Sequence, residues 1–169
     1  MTARLFHEHG IGLGFVDIVV AFSTGSEADP PGREGLAHLA LRVLRAGAAE
    51  MTRAQVDAEV ERLGAHLEAA AGLHRWSVRG RVIRENIEPF ARLLCDLVTR
   101  PAMREDDFDR AKRLLDAELV SLRDDDQALA GRAFRRALFA GHPAGRPSSG
   151  TVASVRAISL DDCAAWCRS

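Results

Sequence analysis

Hydrophobic and polar positions change their rhythm several times along this chain, and each change marks an element. An apolar, β-branched run from Phe15 to Phe22 reads as a buried strand, and the glycines before it as a turn from a short strand around Arg4–His7. Ser23 to Gly35 (STGSEADPPGREG) is turn chemistry and predicts a loop. From Leu36 the period becomes helical, with Leu36, Leu39, Ala40, Val43 and Leu44 on one face and Gly47 as the stop. Thr52 reads as the N-cap of a second helix that turns Val56, Val60 and Leu63 inward and stops at Gly64. Residues 65–71 and 74–83 predict a hairpin around Gly72, and helices are expected over 85–99, 105–124 and 126–140. Pro101 separates the first two of these, and Gly141-His-Pro143 ends the third. A loop over Gly145–Gly150 leads to Ser159, which caps a last helix over Leu160–Cys167. Strand, helix pair, hairpin and helix trio in that order predict an α+β fold, an antiparallel sheet packed on one side by helices. No repeat or linker interrupts it, so 1–169 is expected to be one domain. Because it ends on a helix with no returning strand, the domain is expected to be incomplete at its C-terminus.

Composition narrows the function. Apolar residues make up 47% of the 169 and charged residues 28%, the proportions of a globular domain. A net charge of −1 leaves no basic surplus for a nucleic-acid backbone. No apolar stretch is long enough to cross a bilayer, so no membrane association is expected. The N-terminus lacks the apolar core of a secretory signal, which makes the cytoplasm the default location. Cys95, Cys163 and Cys167 are too few for a disulfide framework.

Isolated motifs carry little chemistry. Gly10-x-Gly12-x-Gly14 is followed by a strand where a dinucleotide site needs a helix, so it reads as a flexible turn. His7 and His9 share a strand face and could share a metal, but no third ligand is near them in sequence; exposed polar residues are the better reading. Cys163 and Cys167 stand one helical turn apart, fewer donors than a metal site recruits. His66, His74 and His142 read as structural or solvated. Arg75, Arg79 and Arg81 alternate on one face of the second hairpin strand, with Arg84 beyond, as on a half-exposed strand.

Three segments in order carry a resemblance. Asp29-Pro-Pro-Gly-Arg-Glu-Gly-Leu-Ala-His38 is similar to the loop and helix start of the insulinase/pitrilysin zinc peptidases, the inverted zincins that include mitochondrial-processing-peptidase-like proteins. Phe108-Asp-Arg-Ala-Lys-Arg-Leu-Leu-Asp-Ala-Glu118 resembles their later helix. Gly141-His-Pro-Ala-Gly-Arg-Pro-Ser-Ser-Gly150, followed by Ser159-Leu-Asp-Asp, resembles their H-P-x-G-R-P-x-x-G stretch and the helix after it. The resemblance implies zinc as the family cofactor and the motif H-x-x-E-H with a later glutamate. On this chain the ligand positions fall at His38, Arg42 and Glu118, with the general-base position at Leu41; the spacing 118 − 42 = 76 agrees with the family's.

The departures remove the chemistry. Zinc hydrolysis needs three protein ligands, an open water position and a carboxylate to take the water's proton. Leucine has no acceptor, and loss of a general base costs about 10²–10⁴ in rate. Arginine stays protonated and cannot ligate. A fixed charge about 4 Å from a divalent ion opposes it by roughly 8 kcal/mol. No metal and no catalytic residue are therefore expected; Arg42 is expected to replace the metal by pairing with Glu118, a buried pair whose breakage costs about 3–5 kcal/mol. The alternative is a solvated Arg42 with Glu118 as plain helix surface. The resemblance then implies a non-catalytic domain that supports peptide binding and assembly with an active zinc peptidase subunit, or with the remainder of its own chain. A family arginine–tyrosine pair from a later domain cannot come from a sequence without tyrosine. The alternatives are an assembly subunit without proteolysis, as in the core proteins of respiratory complex III, and a zinc peptidase that recruits His7, His9, His66 or His74 in place of the lost ligands.

Overall fold

β1 forms over Phe15–Phe22 and pairs antiparallel with β3 (Trp76–Ile83), from Phe15 opposite Ile83 to Phe22 opposite Trp76. The other edge of β3 takes β2 (His66–Ala71), so the hairpin lies beside β1 in the order β1-β3-β2. This is a computed structural model, and it describes residues 14–168 together with Phe6 and Glu8. Apart from Phe6, the short strand expected around Arg4–His7 lies outside the described residues, as do the His7/His9 pair and Gly10 and Gly12.

β1 is not buried as its composition predicts. Phe15, Asp17, Val19 and Ala21 stand exposed, while Val16, Ile18, Val20 and Phe22 are half-buried. It is an edge strand with helices over one face only, so alternate residues meet the core and the others meet water. The open face carries ion pairs: Arg81 clasps both Asp17 oxygens, and Arg79 reaches Glu68 across the hairpin. On the covered face Trp76, Val78 and Val82 of β3 are buried. Gly80 lets the first helix after the hairpin lie on the sheet, because a Cβ there would stand 2.2 Å from the Phe90 ring.

The helical layer begins with α1 (Leu36–Arg45) and α2 (Arg53–Arg62). Thr52 and Gln55 close a reciprocal capping box at the start of α2, and Gly64 turns out of it at φ +59°. The expected trio follows as α3 (Ile87–Thr99), α4 (Glu105–Ser121) and α5 (Asp126–Leu138). α6 (Val152–Ala157) is an addition to the predicted set. It is too short to show a hydrophobic period, and its one sequence signal is the Thr151–Ser154 capping box. α7 (Leu160–Arg168) closes the order, capped by Ser159 and Asp162 reciprocally. α1 is the centre of this layer, against α7, α4 and β2. Seven of its residues, Leu36, Ala37, Leu39, Ala40, Leu41, Val43 and Leu44, are buried. Among the described residues no helix is long and apolar enough to cross a membrane.

Candidate functional site

His38, Leu41 and Arg42 lie on consecutive turns of α1, and Glu118 projects from α4, which packs beside it. Arg42 Nη1 donates to Glu118 Oε1 at 2.9 Å and Nη2 to Oε2 at 2.6 Å, a bidentate clasp that occupies both carboxylate oxygens. The guanidinium holds the Glu118 carboxyl below its usual range. His38 is half-buried; burial pulls its imidazole below the usual range, and the Arg42 charge pushes the same way against a smaller pull from Glu118. Its Nε2 is buried without a hydrogen-bond partner among the described residues. Leu41, only 2% exposed, is part of the core.

The Arg42–Glu118 pair sits at the open edge of the helical layer, with side chains 35% and 56% exposed. That differs from the interior pair on which a cost of about 3–5 kcal/mol depends, because water already solvates both ends. Arg42→Ala is accordingly expected to cost about 1 kcal/mol in urea unfolding, near the upper end for an exposed pair because the geometry is bidentate.

The segments around α1 are tied together by residues whose role composition does not announce. Asp29 is buried, and its carboxylate accepts from the backbone N–H of Gly35 at 2.9 Å and of Ala37 at 3.0 Å, capping α1 from six residues before its N-cap. Burial pushes the Asp29 carboxyl up to about 6, against the pull of those N–H groups and the Arg146 charge. Arg146 donates to the carbonyls of Asp29 (2.6 Å) and Glu27 (2.7 Å), and Ser154 Oγ donates to the carbonyl of Glu34 at 2.8 Å. Gly150 has φ +79°, and a Cβ on it would stand 2.1 Å from the Glu34 carbonyl oxygen. The G-R-P-S-S-G stretch is thus a clasp over the loop that starts α1. The signal that could have found Asp29 is the D-P-P-G-R-E-G turn itself, since an aspartate before a helix start is a cap even when the turn is long.

The remaining candidates do not gather there. His74 Nδ1 lies 2.6 Å from Glu27 Oε2, and His142 accepts from the Ala144 N–H through Nδ1, capping a short turn. His66 begins β2 and is exposed. Burial pushes the Cys163 and Cys167 thiols up to about 12, which disfavours the thiolates a metal or redox site needs. Arg75 stands in the hairpin turn, Arg84 in the short turn after β3, and Arg79 and Arg81 are paired as above. Among the described residues no three His, Cys, Asp or Glu side chains gather where one metal ion would be held.

The sequence pattern described as Insulinase (Peptidase family M16) matches residues 13–152. An uncharacterized zinc protease of Rickettsia bellii is 25% identical over 146 residues, which is 86% of this chain and 35% of that protein. Another, of Mycobacterium leprae, is 25% identical over 155 residues, 92% of this chain and 35% of that protein. The chain therefore spans about a third of the length of these relatives. In solved structures the fold is shared with a peptidase M16 inactive domain from Pseudomonas fluorescens (TM-score 0.86, 24% identity, 92% of this chain and 38% of that one). It is shared also with pitrilysin (TM-score 0.74, 18% identity, 94% and 17%) and with a chain of complex III2 from Candida albicans (TM-score 0.72, 17% identity, 91% and 34%).

Proposed function

The chain belongs to the insulinase family, peptidase family M16, and from that membership we propose that it is a non-catalytic peptidase-like domain, one that supports peptide binding and assembly beside an active zinc peptidase of the same family or beside the remainder of its own chain. The observation that carries this reading is the pair of residues at Leu41 and Arg42. Read through the family motif, the base position holds a side chain with no acceptor, and the second ligand position holds a permanent cation. The donor set does not fit zinc. His38 and Glu118 are two donors where three are needed, and both Glu118 oxygens are engaged by Arg42. No hydrolytic step is assigned to these residues. The Pseudomonas fluorescens domain, described as inactive, supports the same direction.

A second reading, an assembly subunit with no proteolytic role, is favoured by the fold shared with the complex III2 chain. Co-expression with an active family subunit separates the two: peptide cleavage that rises with this chain present favours the first, and a stable complex with unchanged cleavage favours the second.

The test of the common part is elemental analysis of the purified chain after dialysis against trace zinc, with a casein digestion assay alongside. The expected result is less than about 0.1 zinc per chain and no cleavage. Near one equivalent would overturn the reading and direct the search to His66 and His74, and to His7 and His9.

A further inference from the structure

A groove of about 490 Å³ runs between the end of α4, the start of α5 and the start of α6. Its floor is apolar, built from Leu119, Leu122, Leu129 and Val152. Three guanidinium groups line it: Arg123, Arg132 and Arg156. Their charges are unequally answered. Arg156 is paired with Asp116 at 3.2 Å. Arg132 is half-buried and donates only to neutral oxygens, Ser149 Oγ at 2.6 Å and the Gly150 carbonyl at 3.4 Å. With no carboxylate against it among the described residues, burial holds its guanidinium below the usual range. Arg123 is exposed and makes no ion pair among the described residues. Asp124 shares the short turn of Arg123, and Asp125 and Asp126 follow it, but none of them lines the groove, and Asp125 is engaged in capping α5.

A partly buried cation bonded only to neutral oxygens is an incomplete arrangement. A carboxylate would complete it through charge-assisted hydrogen bonds, the strongest that a guanidinium makes. Two unanswered guanidiniums flanking one apolar floor match a ligand that alternates acidic and apolar groups. The groove is open along its outer side, so a chain can enter and leave it, whereas an alkyl carboxylate would leave most of its tail in water.

We propose that this groove is a binding site for an acidic–apolar peptide segment, with carboxylates on Arg132 and Arg123 and an apolar side chain on the Leu119–Leu129 floor. The site shares no residue with His38, Leu41, Arg42 and Glu118; it rests on the peptide binding proposed above and gives it a surface, while zinc content tests the loss of the metal site separately.

The experiment uses the full chain and a fluorescein-labelled decapeptide of alternating Leu and Glu, with Gln-for-Glu and Lys-for-Glu counterparts, read by fluorescence anisotropy. The Glu peptide is expected to bind at least about tenfold more tightly than the Gln peptide, the effect of one charge-assisted hydrogen bond, and the Lys peptide not at all. Arg123→Gln and Arg132→Gln should each weaken the Glu peptide about tenfold. Arg92→Gln, on the outer face of α3, should leave it unchanged. Since Arg132 also holds the Ser149–Gly150 turn, Arg123→Gln, at an exposed and unpaired position, decides the matter if Arg132→Gln does not fold. Equal binding of the Glu and Gln peptides, an effect of Arg92→Gln as large as that of Arg123→Gln, or binding of dodecanoate without binding of the peptide would each overturn the proposal.

Discussion

Arg42→Ala removes a clasp, but Arg42→His is expected to add a metal: about one zinc per chain, against less than about 0.1 in the parent. The substitution acts in three ways at once. It withdraws the fixed charge that opposes a divalent ion, frees both oxygens of Glu118, and supplies a third nitrogen or oxygen donor beside His38 and Glu118. Nε2 of His38, buried and unpartnered, would gain the partner it lacks. Zinc held by the folded chain alone raises its stability by about 4 kcal/mol at a thousandfold excess over Kd. The readout is a zinc-dependent rise in Tm that EDTA reverses, present in Arg42→His and absent from the parent. No zinc-dependent shift would mean that His38 and Glu118 do not converge on one point. Leu41→Glu belongs to the same series and should be costly by itself, since a carboxylate at a position 2% exposed must be buried without a partner.

Asp29→Ala is expected to destabilise the chain by an amount that depends on pH. Truncation leaves the N–H groups of Gly35 and Ala37 buried without their acceptor and removes the cap of the central helix, together about 4 kcal/mol when the acid is protonated. The folded carboxyl titrates at about 6, above its ordinary 3.8. The folded state therefore holds the proton more tightly than the unfolded state. The stability tied to that proton is fully present below pH 3.8 and is lost as pH rises through 6, by about 3 kcal/mol over the whole window. The parent should show this decline, and Asp29→Ala should lack it. Urea unfolding should then find a difference of about 3 kcal/mol at pH 4.5 that shrinks to about 1 kcal/mol at pH 7.5. A difference constant across that range would refute the assignment to Asp29; one that grows with pH would reverse its sign.

The parts of this fold that the sequence states outright are those where one local rule acts alone. Thr52 with Gln55, Gly64, Pro101 and Ser159 each set a boundary by cap or turn chemistry, and the helix limits follow them closely. β1 reads as buried because β-branched composition reports strand formation, while burial depends on how many faces the finished sheet has covered; that is decided by helices far along the chain. α6 escapes because six residues are less than two helical turns. At the candidate site, His38, Arg42 and Glu118 are legible only through the family motif, since nothing local joins α1 to α4. The exposure of the Arg42–Glu118 pair is a property of packing that spacing does not carry. Asp29 and Arg146 escape for a related reason: the groups they hydrogen-bond are backbone atoms, which leave no mark in residue type.

The clasp over the start of α1 also fixes a timetable. Arg146 and Ser154 reach back to Asp29 and Glu34 across 117 and 120 positions of sequence, and Arg33 of the same loop pairs with Asp162 across 129. Such contacts are closed late in folding, because the entropy of a large loop must be met before they repay it. On the ribosome α1 and α2 emerge before α6, yet the start of α1 cannot be sealed until the segment around residue 154 has left the exit tunnel. Throughout that interval the helix that buries the most residues among those described is synthesised but unclosed, so nascent chains shorter than this are the form a chaperone would meet.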